Sequence, residues 1–185
     1  MSKILVDTID TRSGTSNMTI GSSNTSQITL KSGATLTNFP NNTPAFFAKL
    51  SGNQTIAHNT QTVVAFNTEV YDTNSAFDTS AYKFTVPSGE AGKYIFTATA
   101  GYSNASQGVG ARYQLMFNKN GSTEDFAGDW AQASDASADP TFNFTTQMNL
   151  SVNDYVQVTV YHNTGSDRTL QSAWARFFGY RIIGA

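Results

Sequence analysis

The side chains of this chain best suited to chemistry are carboxylates gathered in one stretch, STEDFAGDWAQASDASADP. Carboxylate oxygens held on a loop can chelate Ca²⁺. We predict that this stretch forms a long loop, and long loops within compact domains are often functional. It is therefore the candidate recognition surface, and its residues are Glu124, Asp125, Phe126, Asp129, Trp130, Asp135 and Asp139.

The spacing of these acidic residues matches no calcium-binding motif. Two interpretations stay open, a calcium site and a solvated loop whose Phe126 and Trp130 pack onto the domain or onto a neighbouring chain. The solvated loop is the expectation, so we assign no metal ligand and no cofactor.

Signatures of catalysis are absent from the sequence. It contains no G-x-S-x-G, no H-E-x-x-H and no phosphate-binding G-x-x-x-x-G-K. The two histidines, His58 and His162, are far apart in the sequence, and neither has an acidic residue at a spacing typical of a catalytic or metal-binding motif. We therefore expect solvent-facing or hydrogen-bonding roles for them. We predict that the protein is not an enzyme and has no catalytic residues.

Composition excludes several further classes of function. Charged residues make up 13% of the chain, about half the usual 25%, and the net charge is −2. Because no cluster of Lys and Arg is present, we expect no binding to nucleic acid or to an anionic membrane surface. The apolar runs are far shorter than the roughly 20 residues of a spanning helix, and the N-terminus lacks the apolar core of a secretion signal.

The elements that must position any site are strands, since Thr, Ser, Asn and Gly are abundant and aromatic residues reach 12%. In EAGKYIFTATAGY, one face of a strand carries Tyr94, Phe96, Ala98, Ala100 and Tyr102. Asn120-Gly121 is a hairpin signal. About eight strands after Pro44 predict an all-β jelly-roll sandwich in which the first and last strands lie side by side.

The sequence divides at NFPNNTPAFF, where Pro40 and Pro44 bracket three polar turn residues. We predict an N-terminal arm, residues 1–43, followed by a domain, residues 44–185. The arm has too few large apolar side chains to build a core alone. A stem in which several chains wrap one axis and a flexible linker are the two alternatives.

The spacing of aromatic residues in the domain resembles the signature of the C1q globular-head family, relatives of the tumour necrosis factor jelly roll. The signature runs through Phe66, Asp72, Phe77 and Phe84 to G-K-Y-I-F at 92–96. The segments YQLMFNKNG, LSVNDYVQV and ARFFGYRII match later landmarks of the family. Two departures are a longer gap before Gly92 and an alanine, Ala98, in place of a second aromatic residue.

This resemblance implies a homotrimer that packs edge to face about a threefold axis, with aromatic residues buried between subunits. It also implies a non-catalytic protein that binds proteins or glycans through exposed loops, with Ca²⁺ bound in some members. The small Ala98 and Ala100 either let a neighbouring chain approach or are small core residues. The aromatic residues assigned to the core or the trimer interface are Phe66, Phe77, Phe84, Tyr94, Phe96, Phe178 and Tyr180.

The N-terminus, MSKILVDTIDTRSGTSNMTIG, resembles the start of many tailed-phage virion proteins. Together the two resemblances imply a structural protein of the virion surface, made in the host cytoplasm without a signal peptide. A tail fibre that attaches to the host and a capsid decoration protein are both consistent with this. The expected partners are two further copies of the chain, other virion proteins through residues 1–43, and a host-surface glycan or protein. The alternatives are a stand-alone lectin-like glycan-binding module and a polysaccharide depolymerase.

Overall fold

The computed structural model describes residues 42–103, 111–131 and 139–182, which form thirteen β-strands and, within these ranges, no helix. The predicted arm therefore lies almost wholly outside the described residues, and its boundary stays a prediction. The strands are β1 (Ala45–Lys49), β2 (Gln54–Ile56), β3 (Thr62–Val63), β4 (Thr68–Asp72), β5 (Phe77–Asp78), β6 (Lys83–Thr85), β7 (Gly92–Ser103), β8 (Ala111–Lys119), β9 (Ser122–Ala131), β10 (Thr141–Leu150), β11 (Tyr155–His162), β12 (Arg168–Leu170) and β13 (Arg176–Arg181).

The strands form two antiparallel sheets. In the larger sheet β7 is central, and β10 pairs with one of its edges. Its other edge pairs first with β13 and then, further along the chain, with β12. Strands β1 and β4 continue the sheet beyond β13, and β2 continues it beyond β12. In the smaller sheet β11 pairs with β8 on one side and with β6 and β3 on the other, with β9 and β5 at the edges. The first and last strands, β1 and β13, are neighbours, which confirms that prediction.

Strand β7 alternates as the sequence predicts. Tyr94, Phe96 and Tyr102 are fully buried on the face toward the smaller sheet, whereas Ile95 and Thr97 lie on the outer face. The inward side chains of both sheets form one continuous hydrophobic core. This core is what positions every other feature of the domain.

The centre of the core is the ring of Phe46 on β1. Its centroid lies 4.9 Å from that of Phe77, 5.1 Å from that of Phe84, 4.9 Å from that of Phe177 and 6.3 Å from that of Phe96. Aromatic pairs at these separations stabilise a core beyond the area they bury. Phe46 therefore ties together four other strands, β5, β6, β7 and β13.

The acid in the aromatic signature has a local structural role. The two carboxylate oxygens of Asp72 accept hydrogen bonds from the backbone N–H of Asn74 (3.1 Å) and of Phe77 (2.7 Å). Asp commonly closes turns in this way. The turn between β4 and β5 delivers Phe77 into the core.

The hairpin predicted at Asn120-Gly121 is present, with φ of 52° and 84° at the two residues, between β8 and β9. The long acidic loop predicted after it is wrong for residues 122–131, because Ser122–Ala131 forms strand β9 along the whole of β8. Acidic residues and glycine are depleted in strands, but the hairpin aligns this segment with β8 and the ladder hydrogen bonds override local propensity. Residues 132–138 of that loop lie outside the described residues.

Gly179 on β13 explains why the closing strand has a glycine after its two phenylalanines. A Cβ at this position would lie 2.5 Å from Cδ1 of Phe96 and 2.8 Å from the carbonyl oxygen of Ile95. We predict that Gly179→Ala lowers the free energy of unfolding by about 1–3 kcal/mol, since overpacking forces ring and backbone to shift. Urea unfolding at fixed protein concentration measures the effect.

Gly52→Ala is the matched control, because a Cβ there meets nothing within 4 Å. It should leave stability within about 0.5 kcal/mol of the parent chain. Equal stability of the two variants would contradict the steric role assigned to Gly179.

Candidate functional site

A row of aromatic side chains crosses the outer face of the larger sheet, on β4, β1 and β13. Tyr71 pairs with Phe47, and Phe47 pairs with Phe178. The ring centroid of Phe47 lies 6.2 Å from that of Tyr71 and 5.9 Å from that of Phe178, and both pairs have edge-to-face geometry. Cross-strand aromatic pairs of this kind stabilise a sheet and also present a flat apolar surface.

The next row toward the end of β13 adds to this surface. Tyr180 stands beside Ala45 on β1 and Ile95 on β7. Tyr71 is 48% exposed and Tyr180 is 37% exposed, while Phe47 and Phe178 are half-buried. We call Phe47, Tyr71, Phe178 and Tyr180 together the aromatic face.

This arrangement arises from strand alternation in two Phe-Phe pairs. Phe46 and Phe177 point into the core, so Phe47 and Phe178, one residue later in each strand, must point outward. The register of β1 and β13 then places the two outward rings side by side.

The electrostatics of the aromatic face suit packing better than catalysis. No charged side chain stands within its two rows of the sheet, and Lys49 and Arg176 begin the row beside them. The guanidinium of Arg176 donates to the backbone carbonyls of Ser172, Ala173 and Ala175. The face therefore offers mainly apolar area, and its own polar side-chain groups are the hydroxyls of Tyr71 and Tyr180.

The other half of the same outer face is polar. Thr97 on β7 and Thr145 on β10 share a hydrogen bond of 2.8 Å between their hydroxyls, and exposed Asn143, Gln147 and Asn149 follow along β10. In the described part of the chain β10 pairs only with β7, and β9 pairs only with β8. These two edge strands lie on the same side of the sandwich, where Thr146 donates to the Asp125 carboxylate at 2.7 Å.

The structure separates the seven aromatic residues assigned from sequence to the core or the trimer interface. Five lie in the core of a single chain, and Phe178 and Tyr180 lie on the aromatic face. The core residues are Phe66, Phe77, Phe84, Tyr94 and Phe96. Sequence reasoning missed Phe47 and Tyr71, although the doublet Phe46-Phe47 carried a signal, because one member of such a pair must face away from the core.

Ala98 and Ala100 both belong to the buried inner face of β7. Of the two explanations for their size, the structure supports the small core residue. A neighbouring chain cannot approach either side chain while the two sheets are packed.

The structure describes the side chains of only some of the predicted acidic recognition residues. Glu124 on β9 is exposed, Asp125 accepts from Thr146, and Asp139 is exposed just before β10. Asp135 lies outside the described residues, as do the side chains of Phe126, Asp129 and Trp130. Within the described ranges no three His, Asp or Glu residues lie together so as to hold a metal ion.

The two histidines meet at one end of the sandwich, with ring centroids 6.3 Å apart. His162 is fully buried; its Nε2 donates to the carbonyl of Ile56 (2.9 Å), so its Nδ1 accepts from the Thr164 hydroxyl (3.1 Å). Burial lowers the pKa of His162; the hydrogen bond to Ile56 opposes this shift and the charge of Arg168 adds to it. His162 is thus a hydrogen-bonded structural residue, as the sequence predicted.

Comparison with known proteins identifies the fold. No family model and no curated protein sequence matches the chain. Among solved structures, the globular domain of zebrafish complement 1qA protein matches at a TM-score of 0.55 and 21% identity, covering 75% of this chain and 97% of that one. Eiger TNF from S. frugiperda matches at a TM-score of 0.51 and 12% identity, covering 76% and 92%.

A third match is the PRD1 vertex protein P5, with a TM-score of 0.50 and 18% identity, covering 77% of this chain and 99% of that one. These likenesses show the fold, a C1q/TNF-like jelly roll, and confirm the predicted fold class. Among the described residues no helix is long and apolar enough to cross a bilayer.

The burial of neutral His162 predicts acid sensitivity. Its pKa is lowered in the folded chain, so the unfolded chain takes up a proton near pH 6.5 that the folded chain resists. Stability should therefore be full above about pH 6.5 and fall below it, by at most about 1.4 kcal/mol per pH unit. Chemical unfolding between pH 7.5 and 5.5 measures this slope.

His162→Gln should flatten the slope, because an amide N–H can still donate to Ile56 and cannot titrate. His58→Gln, at the exposed histidine, should leave it in place. A parent chain with constant stability over this range would show that His162 does not resist protonation.

Proposed function

We propose that this chain is a non-enzymatic, homotrimeric structural protein of a phage virion surface, either a tail fibre or a capsid decoration protein. The observation that carries the proposal is the aromatic face, an exposed apolar surface on the outside of a sheet that already has a complete core behind it. The fold likeness to C1q and TNF proteins and to a phage vertex protein supports the same function.

Self-association through the aromatic face has a physical basis. Moving a fully exposed large apolar side chain out of water contributes about 1.5–3 kcal/mol. The four residues of the aromatic face are partly exposed in one chain, so each contributes a fraction of this value, and together they favour association. Tyr and Phe are also enriched in the buried centres of protein interfaces, where charged residues are depleted. A second copy of this chain is the occupant we assign.

Edge strand β10 supplies the complementary surface. Strand β10 is ten residues long and contains no charged residue and no proline. Charged residues and proline usually protect an exposed edge strand from pairing with another chain. The C1q resemblance implies edge-to-face packing, in which this edge of one subunit covers the aromatic face of the next. Because edge and face are different surfaces, the contact is heterologous, and a heterologous contact that closes forms a ring. Three subunits close it here.

The remaining parts of the proposal concern attachment and display. Residues 1–43, with their likeness to phage virion proteins, attach the trimer to the particle. The exposed acidic residues Glu124, on β9, and Asp139, before β10, are not part of the aromatic face or of β10, and we assign them to the surface that contacts the host or neighbouring virion proteins. The protein reaches the virion from the host cytoplasm.

We predict that Tyr180→Glu converts the trimer toward a monomer without unfolding the domain. Tyr180 is partly exposed in one chain, so the substitution spares the core, but in the trimer it would bury an unpaired carboxylate. Sedimentation velocity at matched concentrations measures the assembly state, and circular dichroism reports folding.

Val152→Glu is the matched control, because Val152 is an equally exposed apolar side chain in the β10–β11 turn, outside the aromatic face. It should leave the trimer intact. A folded Tyr180→Glu variant with an unchanged sedimentation coefficient would contradict assembly through this face.

Antibody labelling of intact phage particles tests the assignment to the virion. We expect labelled antibody against residues 44–185 to decorate the outside of purified particles, at the tail for a fibre or over the head for a decoration protein. Particles that bind no antibody, from infected cells in which the protein is abundant, would remove the virion assignment while leaving the trimer unaffected.

A further inference from the structure

A cavity of about 270 Å³ lies on β5 and β6, at the edge of the smaller sheet. Its walls are two turns, residues 74–76 between β4 and β5 and the turn between β10 and β11. Small-molecule sites usually measure about 300–1,000 Å³, so this cavity fits one small ligand. The side chains that bring polar groups to its lining are Asn74, Ser75, Asp78, Lys83, Thr85 and Asn153.

Strand alternation places the cavity on the outer face of the smaller sheet. Phe77 on β5 and Phe84 on β6 are paired, and both side chains point into the core. Their neighbours Asp78 and Lys83 form the next pair in register and therefore point outward. The cavity is thus separate from the aromatic face, which belongs to the larger sheet, and from β10.

The turns that wall the cavity are held by hydrogen bonds to their backbone. The Asp72 carboxylate accepts from the backbone N–H groups of Asn74 and Phe77 in the first turn. In the second turn, the backbone N–H of Asn153 donates to the carbonyl of Val86 (3.0 Å). The shape of the cavity is therefore formed before a ligand arrives, which lowers the entropy lost on binding.

The polar side chains of the lining keep hydrogen-bonding capacity for a ligand. In the described part of the chain, the hydroxyls of Ser75 and Thr85 and the amide of Asn153 form no hydrogen bond to another protein group. Asn74 accepts from the Thr73 hydroxyl through Oδ1 (2.9 Å), which leaves its amide N–H groups to donate. Hydroxyl and amide groups both donate and accept, so they suit a ligand that does the same at adjacent atoms.

The cavity carries one charge of each sign. Asp78 Oδ1 accepts from the Ser80 hydroxyl (2.6 Å) and from the backbone N–H groups of Ser80 and Ala81. The hydrogen bond from the Ser80 hydroxyl, followed by the two backbone hydrogen bonds, lowers the pKa of Asp78, so the carboxylate is charged at neutral pH.

The positive charge is turned away from this carboxylate. Lys83 Nζ lies 4.7 Å from the centroid of the Tyr155 ring, and among the described residues no ion pair joins Lys83 to Asp78. Because the two charges balance, the lining favours neither a simple anion nor a simple cation.

We propose that this cavity binds one ring of a neutral saccharide. Neighbouring hydroxyls of a sugar ring donate and accept, so they match the Asp78 carboxylate together with the amides and hydroxyls of the lining. Ala76 and Pro87 add apolar lining for the C–H groups of the ring. The inference deepens the host-contact part of the proposed function and rests on it only for the source of the saccharide, since a free sugar needs neither trimer nor virion.

Saturation-transfer difference NMR on the full chain tests the proposal with a panel of free sugars: D-glucose, D-galactose, D-mannose, L-rhamnose and N-acetyl-D-glucosamine. We expect at least one sugar to receive saturation from the protein. Asp78→Asn keeps an oxygen for the hydrogen bonds from Ser80 and Ala81 but loses the charged acceptor, so it should weaken binding of that sugar about tenfold. Asn153→Gly removes an amide where the φ of 69° suits glycine, and it should weaken binding about threefold.

Asn59→Gly is the matched control, because Asn59 has a similar φ of 56° and does not line the cavity. It should bind the sugar as the parent chain does. The proposal is overturned if no sugar of the panel receives saturation, or if Asp78→Asn and Asn153→Gly both bind the sugar as tightly as the parent. Saturation of the zwitterion L-alanine and of none of the sugars would also overturn it, because the separated charges would then select the ligand. None of these results alters the sedimentation or antibody-labelling outcomes that test the proposed function.

Discussion

Packing of the Phe46 ring against the rings of four other phenylalanines is the interaction on which the rest of the domain depends. It draws β1 against β13 and holds both over the smaller sheet. Because side chains alternate along a strand, burying Phe46 and Phe177 forces Phe47 and Phe178 to the outside. The core and the aromatic face are therefore two consequences of one pattern. A shift of β1 or β13 by one residue would turn the outward rings inward, but it would also take Phe46 or Phe177 out of the core.

The domain divides its work among three regions. The inner faces of the two sheets form the core, the aromatic face and strand β10 are the surfaces on which the proposed trimer depends, and one end of the sandwich contains buried polar side chains. Gly179 and Asp72 serve the first region, since Gly179 leaves room for Phe96 and Asp72 shapes the turn that delivers Phe77.

Local patterns predicted much of this architecture from the sequence. The alternation from Tyr94 to Tyr102, the hairpin at Asn120-Gly121 and the aromatic spacing from Phe66 to Phe96 each reflect short-range rules of strands, turns and core packing. The fold class followed from them. The acidic strand β9 did not, because its partner β8 decides its conformation and its own residues favour a loop.

The aromatic face was half predicted, through Phe178 and Tyr180, since which ring of a Phe-Phe pair points outward depends on register with another strand. The meeting of His58, His162 and buried Tyr102 depends on contacts between distant segments, which no local pattern encodes.

We propose that three copies of the chain close a ring through the aromatic face. The native mass of the purified chain, measured by light scattering across a dilution series from high to low micromolar concentration, tests it most directly. We expect a mass about three times the 20.0 kDa of one chain, constant over the series. A mass of one chain at micromolar concentration would contradict it.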